Sequence, residues 1–185
     1  LQSKLEESER KYRYLFERSP TISLIIGVDM KIKDINEYGC KILEYKKEEI
    51  VGKNPLDFIV EEDKKKTLKQ LKRDFRGEPT PPILVRVYDG KKKIRFLYFS
   101  ERQVLIYKNG EVDSILITGI DITKRVKSEE KVKEYLKKLE HMTRIHDAII
   151  RGLSVEELAD ITFDTINEII PCDNVGMLLF NEEKQ

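Results

Sequence analysis

Two dipeptides constrain this chain most, Asp89-Gly90 and Asn109-Gly110. An Asp-Gly or Asn-Gly pair between alternating apolar runs is a strong local signal for a tight antiparallel hairpin, because such residues enter positive φ cheaply. The flanking runs are 83–88, 94–107 and 112–121. Three consecutive antiparallel strands are therefore expected in the middle of the chain. Upstream, the apolar run 21–28 and the alternating run 31–36 read as two more strands, joined by a turn at Asp29-Met30.

Short helical pieces separate the two groups of strands. Asn36 is placed to cap a helix over 37–44, and 47–51 is a further helical turn stopped by Gly52. A third piece starts at Asn54-Pro55 and runs to Phe58. In a longer helix over 62–76, Leu68, Leu71 and Phe75 share a face. Hairpins with helices segregated between them argue for an α+β fold, a five-stranded antiparallel sheet with short helices on one face. Residues 1–18 read as an N-terminal flanking helix closed by Ser19-Pro20.

The segment from Gly119 to Arg125 carries the chain from a strand into a helix with no flexible loop between. Val126, Val132, Leu136 and Leu139 already keep helical spacing. The hydroxyl of Thr123 is placed to accept N–H groups of the first turn. A joint with so little slack can pass strain from sheet to helix. The helix is expected to reach about Ile150 as a long C-terminal linker with a coiled-coil-like seam whose phase slips near Met142. Gly152 breaks it. Ser154 to Glu157 forms a capping box for a helix through Ile170, and an apolar strand over 175–180 follows. The expected division is 1–18 flanking helix, 19–123 sheet-and-helix core, 124–151 linker helix and 152–185 the truncated opening of another domain. The chain begins at Leu1 and reads as part of something longer.

Lys and Arg number 35 against 34 Asp and Glu, a net charge of +1. No global field favours nucleic acid or membrane, and Lys64–Lys66 and Lys91–Lys93 read as solvated faces. No apolar run approaches the ~20 residues of a membrane helix. Cys40 and Cys172 lie in different segments, so a disulfide is not expected and a cytoplasmic, reducing setting is.

Three motifs in the right order carry a family resemblance. They are Tyr14-Leu15-Phe16-Glu17-Arg18-Ser19-Pro20, then Asn36 to Tyr45 with Glu48-Glu49-Ile50-Val51-Gly52-Lys53, then Asn109-Gly110-Glu111 with Gly119-Ile120-Asp121-Ile122-Thr123. Together they resemble a PAS sensor domain with its C-terminal PAC segment. Glu44 stands where many members have Gly. Residues 153–180 resemble the start of a GAF domain.

The resemblance implies a sensory module of a multidomain, prokaryotic-type signalling protein, such as a sensor histidine kinase of a two-component system. It implies a ligand site between sheet and helices, with a candidate wall of Ile26, Ile42, Phe58, Leu68, Leu71, Phe75, Val85, Val87, Phe96, Tyr98 and Ile117. The same residues would equally fill a solid core. Tyr98, Ser100 and Arg86 would add polar groups if they point inward. Gly119, Asp121, Thr123 and Arg125 would transmit the signal, Asp121 pairing with Arg125 or a nearby backbone group and Thr123 capping the helix. A homodimer through the flanking and linker helices is implied, with GAF and output domains of the parent as further partners.

No catalytic step is expected from these residues. Haem is disfavoured because no His lies in the sensor part. Covalent flavin is disfavoured because Cys40 lacks the surrounding motif, and Cys40 reads as a small buried residue. His141 and His146 do not share a helix face as a metal pair would. His146-Asp147 lacks the continuation of a phosphoacceptor site. The alternative to a sensor is a ligand-free dimerisation or interaction module.

Overall fold

The computed structural model describes residues 2–101, 103–150, 157 and 161. The chain divides into two units, Leu1–Val126 and Lys127–Gln185. Apart from Glu157 and Ile161, both helical, the expected second domain, its GAF resemblance and Cys172 lie outside the described residues.

The first unit is α+β, as the hairpin pattern argues. It contains α1 (Gln2–Glu17), β1 (Ile22–Gly27), β2 (Ile32–Ile35), α2 (Glu37–Leu43), α3 (Lys47–Ile50), a 3-10 turn (Pro55–Phe58), α4 (Glu61–Asp74), β3 (Ile83–Tyr88), β4 (Ile94–Phe99), β5 (Val104–Lys108) and β6 (Glu111–Asp121). The sheet is antiparallel in the order β2-β1-β6-β4-β3, with β5 also on β6. Helix α5 (Thr123–Ile150) follows directly. Among the described residues no helix is long and apolar enough to cross a membrane.

The sheet has six strands where five were expected, because the run 94–107 is interrupted. Phe99 pairs with Gly119, and Ser100 N–H still reaches Thr118 O at 3.2 Å. Pairing resumes at Val104 with Leu116. Four steps along one strand thus match two along β6, an irregularity that bends the edge while keeping the in–out alternation.

The two hairpin signals have different outcomes. At Asn109-Gly110 both φ are positive, 54° and 87°, and Lys108 pairs with Glu111, the two-residue turn expected. At Asp89-Gly90 the connection is longer: Tyr88 pairs with Ile94, and the positive φ belongs to Lys92. Gly90 is required there for closeness. A Cβ on it would stand 2.1 Å from Glu44 O, and its N–H donates to Leu43 O at 2.9 Å.

The core lies between one sheet face and the helices. Ile22, Leu24, Ile32, Ile35, Leu43, Ile50, Ile59, Val85, Val87 and Leu97 form its main cluster, with Cys40 packed partly against it. Cys40 is only partly buried where full burial was expected, and that partial burial still pushes its thiol up. Asn36, fully buried, does more than cap α2. Its Oδ1 accepts from Ser23 N and Gly39 N, each at 3.0 Å, and its Nδ2 donates to Phe16 O and Thr21 O at 3.1 and 2.8 Å. One amide therefore ties the end of α1 to β1 and α2. The free edge of β3 is covered by Ile59 bridging Val87 and by Asp63, which accepts Arg86 N–H at 2.9 Å and its guanidinium at 3.0 and 3.1 Å.

Candidate functional site

A cavity of about 80 Å³ lies between the inner sheet face and α4. Its apolar wall includes Ile26, Phe58, Leu71, Val85, Val87 and Ile117 from the expected set. Ile42, Leu68, Phe75, Phe96 and Tyr98 do not line it. On β4 the reason is register: Val85 opposes Leu97 and Ile83 opposes Phe99, so Leu97 and Phe99 face inward and Phe96 and Tyr98 take the other face. Arg86 shares that outer register with Phe96, whereas Ser100 does line the cavity. On α4 the error is one of phase. The buried positions are Asp63, Thr67, Leu71 and Asp74, while Leu68 and Phe75 are only partly buried. Ile42 and Phe75 pack against the two apolar clusters behind the wall.

The cavity has a polar end that apolar periodicity could not find. Thr67, Gln70 and Asp74 come from α4, and Ser100 and Gln103 from the interruption between β4 and β5. The available signal was the series Asp63, Thr67, Gln70, Leu71, Asp74, which follows one helical face while mixing polar with apolar residues. Asp74 Oδ1 accepts from Thr80 Oγ1 at 2.6 Å. Burial raises the Asp74 pKa, only partly offset by that hydroxyl and by the charge of Arg73.

The joint lies at the end of β6. Asp121 Oδ1 accepts the Thr123 N–H at 2.8 Å and also the Thr123 hydroxyl. Thr123 Oγ1 in turn accepts Phe96 N–H at 2.8 Å, and Ile122 N–H donates to Phe96 O at 2.9 Å. Asp121 is thus the group that holds the first helical N–H, and the Thr123 hydroxyl fastens α5 to β4. Val126 N–H reaches Ile122 O at 2.9 Å, closing the first turn. Arg125 is exposed in that turn.

Gly119 connects the two places. It pairs directly with Phe99, and a Cβ on it would stand 2.7 Å from the Phe99 ring. The cavity wall therefore rests on the strand that carries Asp121, two residues further on.

A three-carboxylate knot, absent from the sequence reading, braces the same end of the sheet. Arg95 Nε reaches Asp89 at 2.9 Å, Nη2 reaches Glu44 at 2.7 Å and Nη1 reaches Asp121 at 3.5 Å. Glu44, which also pairs with Lys91, ends α2 in the left-handed region at φ 56°. That conformation explains why a Gly would serve at this position. Asp89 has no exposed surface, and its Oδ1 accepts Lys91 and Lys93 N–H at 3.0 and 2.9 Å. Burial opposes its ionisation, but the Lys93 amide, Arg95 and the Lys91 amide outweigh it and hold the pKa below the ordinary value. Among the described residues no group of three or more His, Cys, Asp or Glu is placed to hold a metal.

The family model described as "PAS domain" matches residues 20–124, more than half of the chain. Among solved structures, the PAS domain of an HTR-like protein from Haloarcula marismortui aligns at 22% identity with a TM-score of 0.53, covering 65% of this chain and 97% of that one. A PAS domain from a two-component sensor histidine kinase aligns at 16% identity and 0.52, covering 63% and 97%. A sensory box histidine kinase/response regulator from Burkholderia thailandensis aligns at 15% identity and 0.51, covering 70% and 98%. At these identities the likeness shows the fold alone. No curated protein sequence matches the chain.

Proposed function

Since the chain belongs to the PAS domain family, we propose that residues 20–124 are the sensory module of a signal-transduction protein. A small molecule enters the cavity, shifts Phe99, and alters the seat of Phe99 on Gly119. The shift passes along β6 to Asp121 and through Thr123 to the start of α5. The observation that carries this reading is the Phe99–Gly119 contact, which puts a cavity-lining ring directly on the strand of the joint. In this reading the module binds and transmits; it has no covalent step, no haem and no covalent flavin, and neither nucleic acid nor membrane is its partner. Its setting is cytoplasmic, and its output goes to further domains of a parent protein of sensor-kinase type.

The test is a titration of the purified chain with isobutanol, following cavity methyls and the amides of residues 121–126 together by NMR. Concerted shifts in both groups are expected. Cavity methyls that move while the joint amides stay fixed would refute transmission.

A second reading, a dimerisation module, is favoured by a specific surface. Leu84, Tyr98 and Ile120 form one cross-strand row on the outer sheet face and are 39%, 40% and 46% exposed. Val132, Leu136 and Leu139 on α5, and Tyr12, Tyr14 and Leu15 on α1, are also exposed. We infer a homodimer through α1 and α5, compatible with sensing. Sedimentation of the chain with Leu136→Glu and Leu139→Glu should give monomer where the parent chain gives dimer.

A further inference from the structure

Asp74 is 5% exposed, lines the cavity, and accepts one hydrogen bond, on Oδ1 from Thr80. Its Oδ2 accepts none from the described residues. Gln70, one helical turn away on the same face of α4, gives Nε2 to Pro81 O at 2.9 Å, and Gln103 gives Nε2 to Glu78 O at 3.1 Å. Each amide commits one N–H to a main-chain carbonyl, which turns its Nε2 toward the backbone and leaves its Oε1 as an acceptor to offer a ligand. Among the described residues no Lys, Arg or His lines the cavity, and neighbouring Arg73 is paired with Glu78 at 2.9 Å. The polar end is therefore rich in acceptors and negatively charged when Asp74 ionises, and the described residues give it no cation.

We propose that the cavity binds a small apolar amine, its ammonium held by Asp74 Oδ2 with help from the amide oxygens of Gln70 and Gln103, and its hydrocarbon part among Leu71, Val85, Leu97 and Ile117. The proposal rests on the reading of the cavity as a ligand site. A primary ammonium has three donors and no acceptor, which matches this set. A carboxylate or phosphate would meet the like charge of Asp74 and, among the described residues, no lining cation. A cation would also relieve the desolvated carboxylate, whose pKa burial holds up. The volume sets the size. A dry cavity of about 150 Å³ holds benzene, so this one suits a branched chain of few carbons.

The test uses the whole 185-residue chain with labelled methyl groups. Isobutylamine, isobutanol and isobutyrate are titrated separately against the methyls of Ile26, Val85, Leu97 and Ile117. The amine should bind about tenfold more tightly than its neutral isostere, since an ion pair replaces a bond in which only the carboxylate is charged. Isobutyrate should bind more weakly than isobutanol. Asp74→Asn keeps an acceptor for Thr80 and should erase the preference, weakening the amine far more than isobutanol. Gln70→Leu, at a half-buried position, should reduce the preference by a smaller factor and serves if Asp74→Asn does not fold. An alcohol that binds as tightly as the amine, or a preference that survives both substitutions, overturns the amine assignment and leaves the cavity a ligand site. If none of the three compounds moves a cavity methyl, the ligand-site reading falls with it.

Discussion

Asp89 and Asp74 are both buried carboxylates on the inner side of this fold, and they are treated in opposite ways. Asp89 collects two main-chain N–H groups and the Arg95 guanidinium, and its pKa is held down. Asp74 collects one hydroxyl, and its pKa is pushed up. Burial alone costs both of them. The difference lies in whether the fold supplies the compensating donors. Where it does, at the turn between β3 and β4, the charge is a fastening. Where it does not, at the cavity, the group is kept at a cost to stability, the pattern expected of a site waiting for a partner.

Removing the fastening should have the largest effect. Arg95→Ala strips Asp89, Glu44 and Asp121 of their shared cation and leaves the Asp89 carboxylate buried. A loss of about 3 to 5 kcal/mol is expected by urea denaturation. Arg95→Lys should recover only part of it, since one ammonium cannot serve three carboxylates in a fixed fork. Little loss in either variant would remove the contrast with Asp74.

Thr123→Val should cost about 1 to 2 kcal/mol, because it leaves Phe96 N–H without its acceptor at a nearly buried position. The fold should persist, with faster amide exchange concentrated at Phe96 and in the first turn of α5. A uniform change across the sheet would mean that Thr123 is ordinary core.

Asp74→Asn should have the smallest effect and the opposite sign, a gain of up to about 1 kcal/mol at neutral pH. The pH dependence separates the two carboxylates. Asp89 and Asp63 have lowered pKa values in the fold, so their stabilisation is present above about pH 4 and is lost as pH falls through the folded values. Asp74 has a raised value, so its contribution is favourable below about pH 4 and is lost as pH rises through the folded value. Parent and Asp74→Asn stabilities should therefore converge in acid and separate toward neutrality. A constant difference would show that Asp74 ionises as freely in the fold as in the unfolded chain.

The same contrast explains what was legible in the sequence. Local signals read true where local physics decides. Asn109-Gly110 is a two-residue turn with nothing within 4 Å of where a Gly110 Cβ would stand, and the in–out period of β1, β3 and β6 puts Ile26, Val85, Val87 and Ile117 along the cavity. Asp89-Gly90 looks alike in sequence, yet its geometry is set by Glu44 O and by Arg95, far away in the chain. On β4 a register of one residue decided between Phe96 with Tyr98 and Leu97 with Phe99. On α4 a count of apolar residues chose Leu68 and Phe75 and passed over Thr67, Gln70 and Asp74, because a helix facing a cavity need not be apolar along its buried line. The linking role of Asn36 needed three segments brought together before its amide had partners.

The central claim is that the cavity wall and the joint are one mechanical piece, linked where Phe99 lies on Gly119. Gly119→Ala tests it most directly, since the new Cβ would stand 2.7 and 2.8 Å from the Phe99 ring and must displace it. Residue-resolved hydrogen exchange is the measurement. The amides of Phe96, Ile122, Thr123 and Val126 should exchange more than about tenfold faster, relative to those of Ile25 and Asp34 in the β1–β2 hairpin. Equal acceleration of both groups, or of neither, would contradict the account.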